Sequence, residues 1–203
     1  MIHTFSTKAN TLADLQNVLK SARIVPLQSF TVEKWRINQE ECLDGIFKQL
    51  GAGPWIVRSS CTREDNTDGS NAGAFLSVLN VDAQGLIPAI EQVIEVYGDT
   101  HPKDQVLIQP MLVNVVRSGV AFSHDPNTNA PYRVVNWSEG SDTSAVTSGR
   151  GGKAWQQAAQ SRLVPPLCIA STIKLIDELL TLFGGVPVDC EFAMTDEGEE
   201  EVL

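Results

Sequence analysis

Trp55-Ile56-Val57 is a short apolar run that reads as a buried strand, with Arg58, Ser59 and Ser60 at its end. From Thr62 to Asn71 the chain turns polar, and Gly69 and Gly73 are set among Ser70, Asn71, Ala72 and Ala74. A second strand is expected from Phe75 to Val81, where Phe75, Ser77 and Leu79 alternate with Leu76, Val78 and Asn80. A strand, a terminal arginine and a small-residue loop can hold a polyanion. The guanidinium is a permanent planar charge, and a loop without bulky side chains lets backbone N–H groups approach phosphate oxygens. Hairpins also carry such residues for purely structural reasons, and that reading stays open here.

A second candidate lies near the C-terminus. Val186 to Met194 reads as a strand in which Asp189 and Glu191 alternate with Val188 and Cys190. Carboxylates two residues apart on a strand share a face, which suits a hard cation such as Mg²⁺ beside nucleotide phosphates. A solvent-facing strand edge is the alternative. Lys8 stands at the start of a stretch, 7–22, that reads as a helix through Leu12, Leu15, Val18, Leu19 and Ala22. A lysine there opposes the macrodipole, so it is either a solvated side chain on a fraying end or has another task. Gly149-Arg150-Gly151-Gly152-Lys153 does not make a phosphate-binding P-loop, because Thr147 replaces the first glycine and Ala154 the metal-binding hydroxyl.

The elements that must position these groups are ordinary. Cys42, Leu43, Ile46, Phe47 and Leu50 stripe a helix over 39–50 that Gly51 and Gly53 end. Leu86, Ala89, Ile90, Val93, Ile94 and Tyr97 stripe another, stopped by Gly98. Ile169, Ile173, Ile176, Leu179, Leu180 and Phe183 mark a last long helix before Gly184 and Gly185. Arg23 to Val32 reads as strand and turn, strands are expected over 105–112 and 132–137, the latter the returning strand of a hairpin, and 138–152 reads as a flexible loop.

With 203 residues, 42% hydrophobic and 20% charged, the chain can build one two-lobed domain or two small ones. A net charge of −10 argues against a nucleic-acid binder, so a bound polyphosphate needs a local cluster of Lys, Arg and metal. No apolar run reaches a membrane span of about 20 residues, and MIHTFSTKAN does not read as a signal peptide. Cys42, Cys61, Cys168 and Cys190 are widely spaced, so we expect reduced thiols in a cytoplasmic protein. The histidines show no metal-ligand spacing.

Four ordered blocks resemble one family: Val57-Arg58-Ser59-Ser60, Glu64-Asp65, Ser70-Asn71-Ala72-Gly73 and Leu79-Asn80-Val81. The family is the N-terminal ATP-binding domain of pyruvate phosphate dikinase and phosphoenolpyruvate synthase. Ser118-Gly119-Val120-Ala121-Phe122-Ser123 with Asp125-Pro126 is similar to a further block of that family, although His124 stands where most members have arginine. Lys8-Ala9-Asn10-Thr11-Leu12 resembles its opening motif, with Ser6 and Thr7 in place of a glycine pair. Asp189-Cys190-Glu191-Phe192 resembles its Asp-Ile-Glu-Trp strand, and Val146-Thr147-Ser148-Gly149 a Val-x-Ser-Gly.

The resemblance implies an α+β, ATP-grasp-like two-lobed domain with mostly antiparallel sheets and packed helices. Its lobes would be 1–104 and 105–203, with nucleotide held between them. It implies ATP and Mg²⁺ as cofactors, Lys8 and Arg58 on phosphates, and Gly69, Ser70, Asn71 and Gly73 covering them. Gln109, Pro110, Met111 and Leu112 would line the adenine, and Glu191 would take Mg²⁺ with Asp189 nearby. The activity implied is phosphoryl transfer from ATP to a histidine on a separate domain, en route to pyruvate, phosphoenolpyruvate or a related acceptor. Neither that phosphohistidine domain nor an acceptor domain is expected within this chain, whose last lobe reads as cut short before a final Gln-x-Arg-Pro strand. A nucleotide-binding module without turnover, regulatory or degenerate, is the alternative.

Overall fold

Asn38 and Gly51 bracket the helix whose limits the sequence marks best. The Asn38 side chain accepts from the Glu41 N–H (3.2 Å), Glu40 and Glu41 complement the first turn, and Gly51 closes the last turn at φ 74°. A computed structural model describes residues 2–61, 76–98, 101–140, 152–196 and 200–202. Its contacts divide the chain into one unit of Ser6–Asp14 and Val25–Met111, and another of Met1–Phe5, Leu15–Ile24 and Leu112–Leu203.

In chain order the elements are α1 (Lys8–Leu15), β1 (Arg23–Ile24), β2 (Gln28–Thr31), α2 (Val32–Ile37), α3 (Gln39–Leu50), β3 (Trp55–Ser60), β4 (Ser77–Val81) and α4 (Leu86–Tyr97). They continue with β5 (Gln105–Pro110), β6 (Val115–Phe122), β7 (Tyr132–Glu139), β8 (Lys153–Ala158), α5 (Ala170–Leu182), β9 (Asp189–Thr195) and β10 (Glu200–Val202). The fold is α+β, as expected, with mostly antiparallel pairing. Among the described residues, no helix is long and apolar enough to cross a membrane.

The unit that carries Arg58 is built on a four-stranded sheet in the order β2-β5-β3-β4. Trp55 and Val57 of β3, Val106 and Ile108 of β5 and Phe30 of β2 share a core with Trp35, Cys42, Ile46, Leu86, Ile90 and Val93. These side chains alternate along their strands, so Ile56, Arg58 and Ser60 fall on the opposite face. There they oppose Gln109, Leu107 and Gln105 of β5 in register.

The other unit is a six-stranded sheet, β1-β10-β9-β6-β7-β8, with α5 packed on β6, β7 and β9. Ile169, Leu175, Ile176, Leu179, Ala121, Val135, Cys190 and Phe192 are buried in it. Gly119 is required where β6 meets β7, because a Cβ would lie 2.1 Å from the Asn136 carbonyl oxygen and 2.8 Å from the Trp137 Cα. Its neighbours are backbone atoms held by the ladder, which cannot give way as a side chain can.

One expectation needs correction, and two elements fall where the sequence pattern assigns none. The helix expected over 7–22 ends at Leu15, and the backbone N–H groups of Lys20 and Ser21 donate to the Glu178 carboxylate instead (3.0 and 2.8 Å). Residues 32–37 form a helix, capped by the Thr31 hydroxyl, at the end of the stretch 23–32 read as strand and turn. Lys153–Ala158, taken as lying beyond a loop, is strand β8 at the sheet edge. All four cysteines are free thiols, as expected, and Cys42, Cys61 and Cys190 are buried.

Gly119→Ala should lower stability by about 1–3 kcal/mol or more, the cost of overpacking a rigid site. At about 2–4 °C per kcal/mol for a chain of this size, a thermal melt will read it.

Candidate functional site

Each predicted residue can now be placed within its own unit. Arg58 lies in β3, half-buried, opposite Leu107 on one side and Ser77 on the other. Lys8 is the first residue of α1, also half-buried. The first turn of α1 is fastened to the ends of β3 and β5. The Ala9 N–H donates to the Ser60 Oγ (2.9 Å), the Thr7 hydroxyl donates to the Gln105 Oε1 (2.5 Å), and the Gln105 Nε2 donates to the Asn10 Oδ1 (3.1 Å). Ser60 is two residues from Arg58 and on its face, so this clasp mounts the lysine's helix on the face that bears the arginine. The structure brings the first turn of α1, which Lys8 begins, to the sheet face that bears Arg58.

That lysine, unfavourable at a helix N-terminus on dipole grounds, therefore does not sit on a fraying end. Thr7 accepts from the Asn10 N–H (3.3 Å) through its hydroxyl and from the Thr11 N–H (2.9 Å) through its carbonyl, which pins the turn that starts at Lys8.

Gln109 and Pro110 end β5, and Met111 and Leu112 follow half-buried. The Gln109 side chain is buried and its Nε2 donates to the Val25 carbonyl (3.4 Å), while the Met111 N–H donates to the Pro54 carbonyl (2.9 Å). Both groups are thus engaged within their own unit, and a base against 109–112 would meet the other backbone groups of the segment. Gly69, Ser70, Asn71 and Gly73 lie outside the described residues, as does Val146-Thr147-Ser148-Gly149.

In the other unit, β9 carries Asp189 exposed and Glu191 half-buried, with Cys190 and Phe192 turned to the core between and beyond them. Asp189 opposes Phe122 and Glu191 opposes Val120 across the ladder to β6. The two carboxylates therefore share a face with Cα atoms about 6.7 Å apart. Among the described residues, no group of three His, Cys, Asp or Glu side chains is gathered to hold a metal. A pair of oxygen donors still fits Mg²⁺, which takes one or two carboxylates and completes its shell with water and phosphate oxygens.

His124 follows the same end of β6. The Ser123 N–H donates to the Val188 carbonyl, the Val188 N–H to the Ser123 Oγ (both 2.8 Å), and the His124 Nδ1 lies 3.0 Å from that Oγ. This ties the histidine to the backbone just before Asp189. Asp125 accepts from the Asn127 and Thr128 N–H groups and the Thr128 hydroxyl. Those bonds, from Thr128 above all, hold its carboxyl below the ordinary aspartate value. Its role in the Asp-Pro block is turn-building.

Several groups escaped the sequence. Gln105 is a polar residue at an element end with no motif of its own, and Ser60 and Thr7, though part of motif blocks, carried no sign that they fasten α1. Tyr97 looked like the last apolar position of α4, but its hydroxyl is 2.6 Å from both the Ser60 nitrogen and the Gln105 carbonyl oxygen. A buried tyrosine needs a partner for its oxygen, and that is the signal that was available. Glu201 is 1% exposed and meets the Arg23 guanidinium, 60% exposed, through both Nε and Nη2.

Lys153 begins a strand and pairs with Glu139 (2.6 Å), whereas a P-loop lysine begins a helix. Lys153→Ala should leave the calorimetric affinity for MgATP within about twofold, and a tenfold loss would return 149–153 to consideration as a phosphate loop.

A search of curated protein sequences finds no match. Among solved structures, D-alanine–D-alanine ligase from Helicobacter pylori is similar over 97% of this chain and 52% of its own, with 16% identity and a TM-score of 0.54. N5-carboxyaminoimidazole synthetase from Staphylococcus aureus, solved with ADP, matches 97% of this chain and 42% of its own, at 14% identity and a TM-score of 0.51. D-alanyl-alanine synthetase A from Vibrio cholerae matches 96% and 51%, at 12% identity and the same TM-score of 0.51. This chain spans about half the length of such proteins, which are ATP-grasp ligases, and the likeness is one of fold. Residues 6–152 match the sequence model of the family described as pyruvate phosphate dikinase, AMP/ATP-binding domain. The match covers most of the chain and takes in Lys8, Arg58 and the segment 109–112, so the protein belongs to the pyruvate phosphate dikinase AMP/ATP-binding domain family.

Proposed function

We propose that this ATP-binding domain holds MgATP and serves a dikinase-type phosphotransferase, passing phosphoryl to a histidine on a separate domain and from there to pyruvate, phosphoenolpyruvate or a related acceptor. The observation that carries the reading is the mounting of Lys8 and Arg58 on one sheet face, within the part of the chain that matches the family. In a chain of net charge −10, two cations on one face are what a polyphosphate requires. Arg58 contributes a fixed planar charge able to take two phosphate oxygens at once, and Lys8 a mobile point charge. Asp189 and Glu191 would hold Mg²⁺, which when bound neutralises phosphate charge and fixes phosphate geometry. The work of the protein in such a transfer is positioning and charge neutralisation. Gly69, Ser70, Asn71 and Gly73 would close over the phosphates, and 109–112 would line the adenine. The lobes would divide near residues 105–114.

A second reading, a nucleotide-binding module without turnover, draws on His124 in place of the family's arginine and on Ser6 and Thr7 in place of its glycines. Thr7 is committed to Gln105 and to the first turn of α1, a task glycine could not perform. Exchange of radiolabelled phosphate between ATP and a supplied phosphohistidine domain separates the two readings.

Arg58→Ala should weaken MgATP binding by about 1.5–3 kcal/mol, the worth of charge-assisted hydrogen bonds, or about 10- to 150-fold in Kd by calorimetry. Glu191→Gln should lower affinity for MgATP but not for ATP in excess chelator. Unchanged binding in Arg58→Ala would remove the arginine from the site.

A further inference from the structure

We propose that Tyr97 is a positioning residue for Lys8, an inference that rests on the nucleotide reading above. In the β3–β5 ladder, Pro54 stands opposite Met111 and Ser60 opposite Gln105 in the same phase, and at the first of these rungs the Met111 N–H donates to the Pro54 carbonyl at 2.9 Å. At the Ser60 rung a side chain intervenes. The Ser60 N–H donates to the Tyr97 hydroxyl (2.6 Å), and that hydroxyl donates to the Gln105 carbonyl (2.6 Å). One oxygen from the last residue of α4 thus bridges the final rung of the two central strands of the sheet.

The same two residues carry α1. The Ser60 Oγ receives the Ala9 N–H, and the Gln105 side chain holds Thr7 and Asn10, the residues on either side of the Lys8-Ala9 pair. Ser60 and Ala9 are fully buried and Tyr97 is 5% exposed, so water has little access to replace a lost bond. Removing the Tyr97 oxygen leaves a buried N–H without its acceptor and a carbonyl without a donor, which favours closure of the rung. Closure would carry the Ser60 Oγ and the Gln105 amide with it, and the first turn of α1 would follow. A displacement of Lys8 by about an ångström is enough to weaken a charge-assisted contact with phosphate. The hydroxyl neither touches nor needs to touch the nucleotide.

The test is a double-mutant cycle read by calorimetric titration of the whole chain with MgATP, using the parent, Tyr97→Phe, Lys8→Ala and the pair, each with a thermal melt. Tyr97→Phe should weaken binding about tenfold in the parent and less than about twofold once Lys8 is gone. An equal loss in both backgrounds, or a lowered melting temperature with unchanged affinity, assigns Tyr97 to the fold alone and overturns the proposal. Should Tyr97→Phe not fold, Tyr97→4-aminophenylalanine, which keeps a donor for the Gln105 carbonyl but offers the Ser60 N–H a weaker acceptor, enters the same cycle, and the same outcomes decide. A parent chain that folds yet gives no heat at millimolar MgATP overturns the nucleotide reading and this inference together. A parent that binds, is weakened by Lys8→Ala and is indifferent to Tyr97→Phe overturns this inference only.

Discussion

The register of β3 on β5 is the constraint on which the candidate site depends. Trp55 and Val57 must face the core, packed with Ile46, Leu86, Ile90 and Ile108, and that obligation sends Ile56, Arg58 and Ser60 to the other face. A slip of one residue would bury a guanidinium among these apolar side chains at a cost of several kcal/mol. Hydrophobic burial therefore aims the arginine, although no apolar side chain touches the chemistry it would perform. The end of the same ladder, at Ser60 and Gln105, receives α1 and with it Lys8.

What the sequence reveals follows from how local each signal is. The helix α3 was readable to the residue because Asn38, the apolar stripe from Cys42 to Leu50 and Gly51 all lie within or beside it. Arg58 and the Asp189/Glu191 pair were readable because strand alternation settles which face each shares. The helix α2 was not, since Val32–Ile37 buries only Val32 and Trp35 and has no room for a periodic stripe. Strand β8 was hidden for the opposite reason: an edge strand exposes Lys153, Ala154, Gln156 and Ala158, so its pattern resembles a loop. The extent of α1 was misjudged because apolar spacing continues to Ala22, whereas Lys20 and Ser21 give their N–H groups to Glu178, far along the chain.

The two clusters differ in what supports them. Lys8 and Arg58 are mounted on a sheet whose ladder, core and side-chain clasp all enforce the same geometry. Asp189 and Glu191 lean on β6, with Val188 tied to Ser123 by two hydrogen bonds and Gly119 admitting the close approach of β7. One is a pair of cations beside a sheet end, the other a pair of carboxylates beside a tied strand end. Family membership states the ligand class, while these supports explain why these residue types can present themselves to it.

The most direct measurement is a backbone amide NMR spectrum of the isotopically labelled chain, recorded as MgATP is added. The account predicts that the resonances of Lys8 to Asn10, Arg58 to Ser60 and Asp189 to Glu191 move together along one saturating curve. Those on the solvent side of α4, at Ile87 and Val96, should stay in place. Shifts confined to other segments, or none at any of the three under millimolar MgATP, would contradict it.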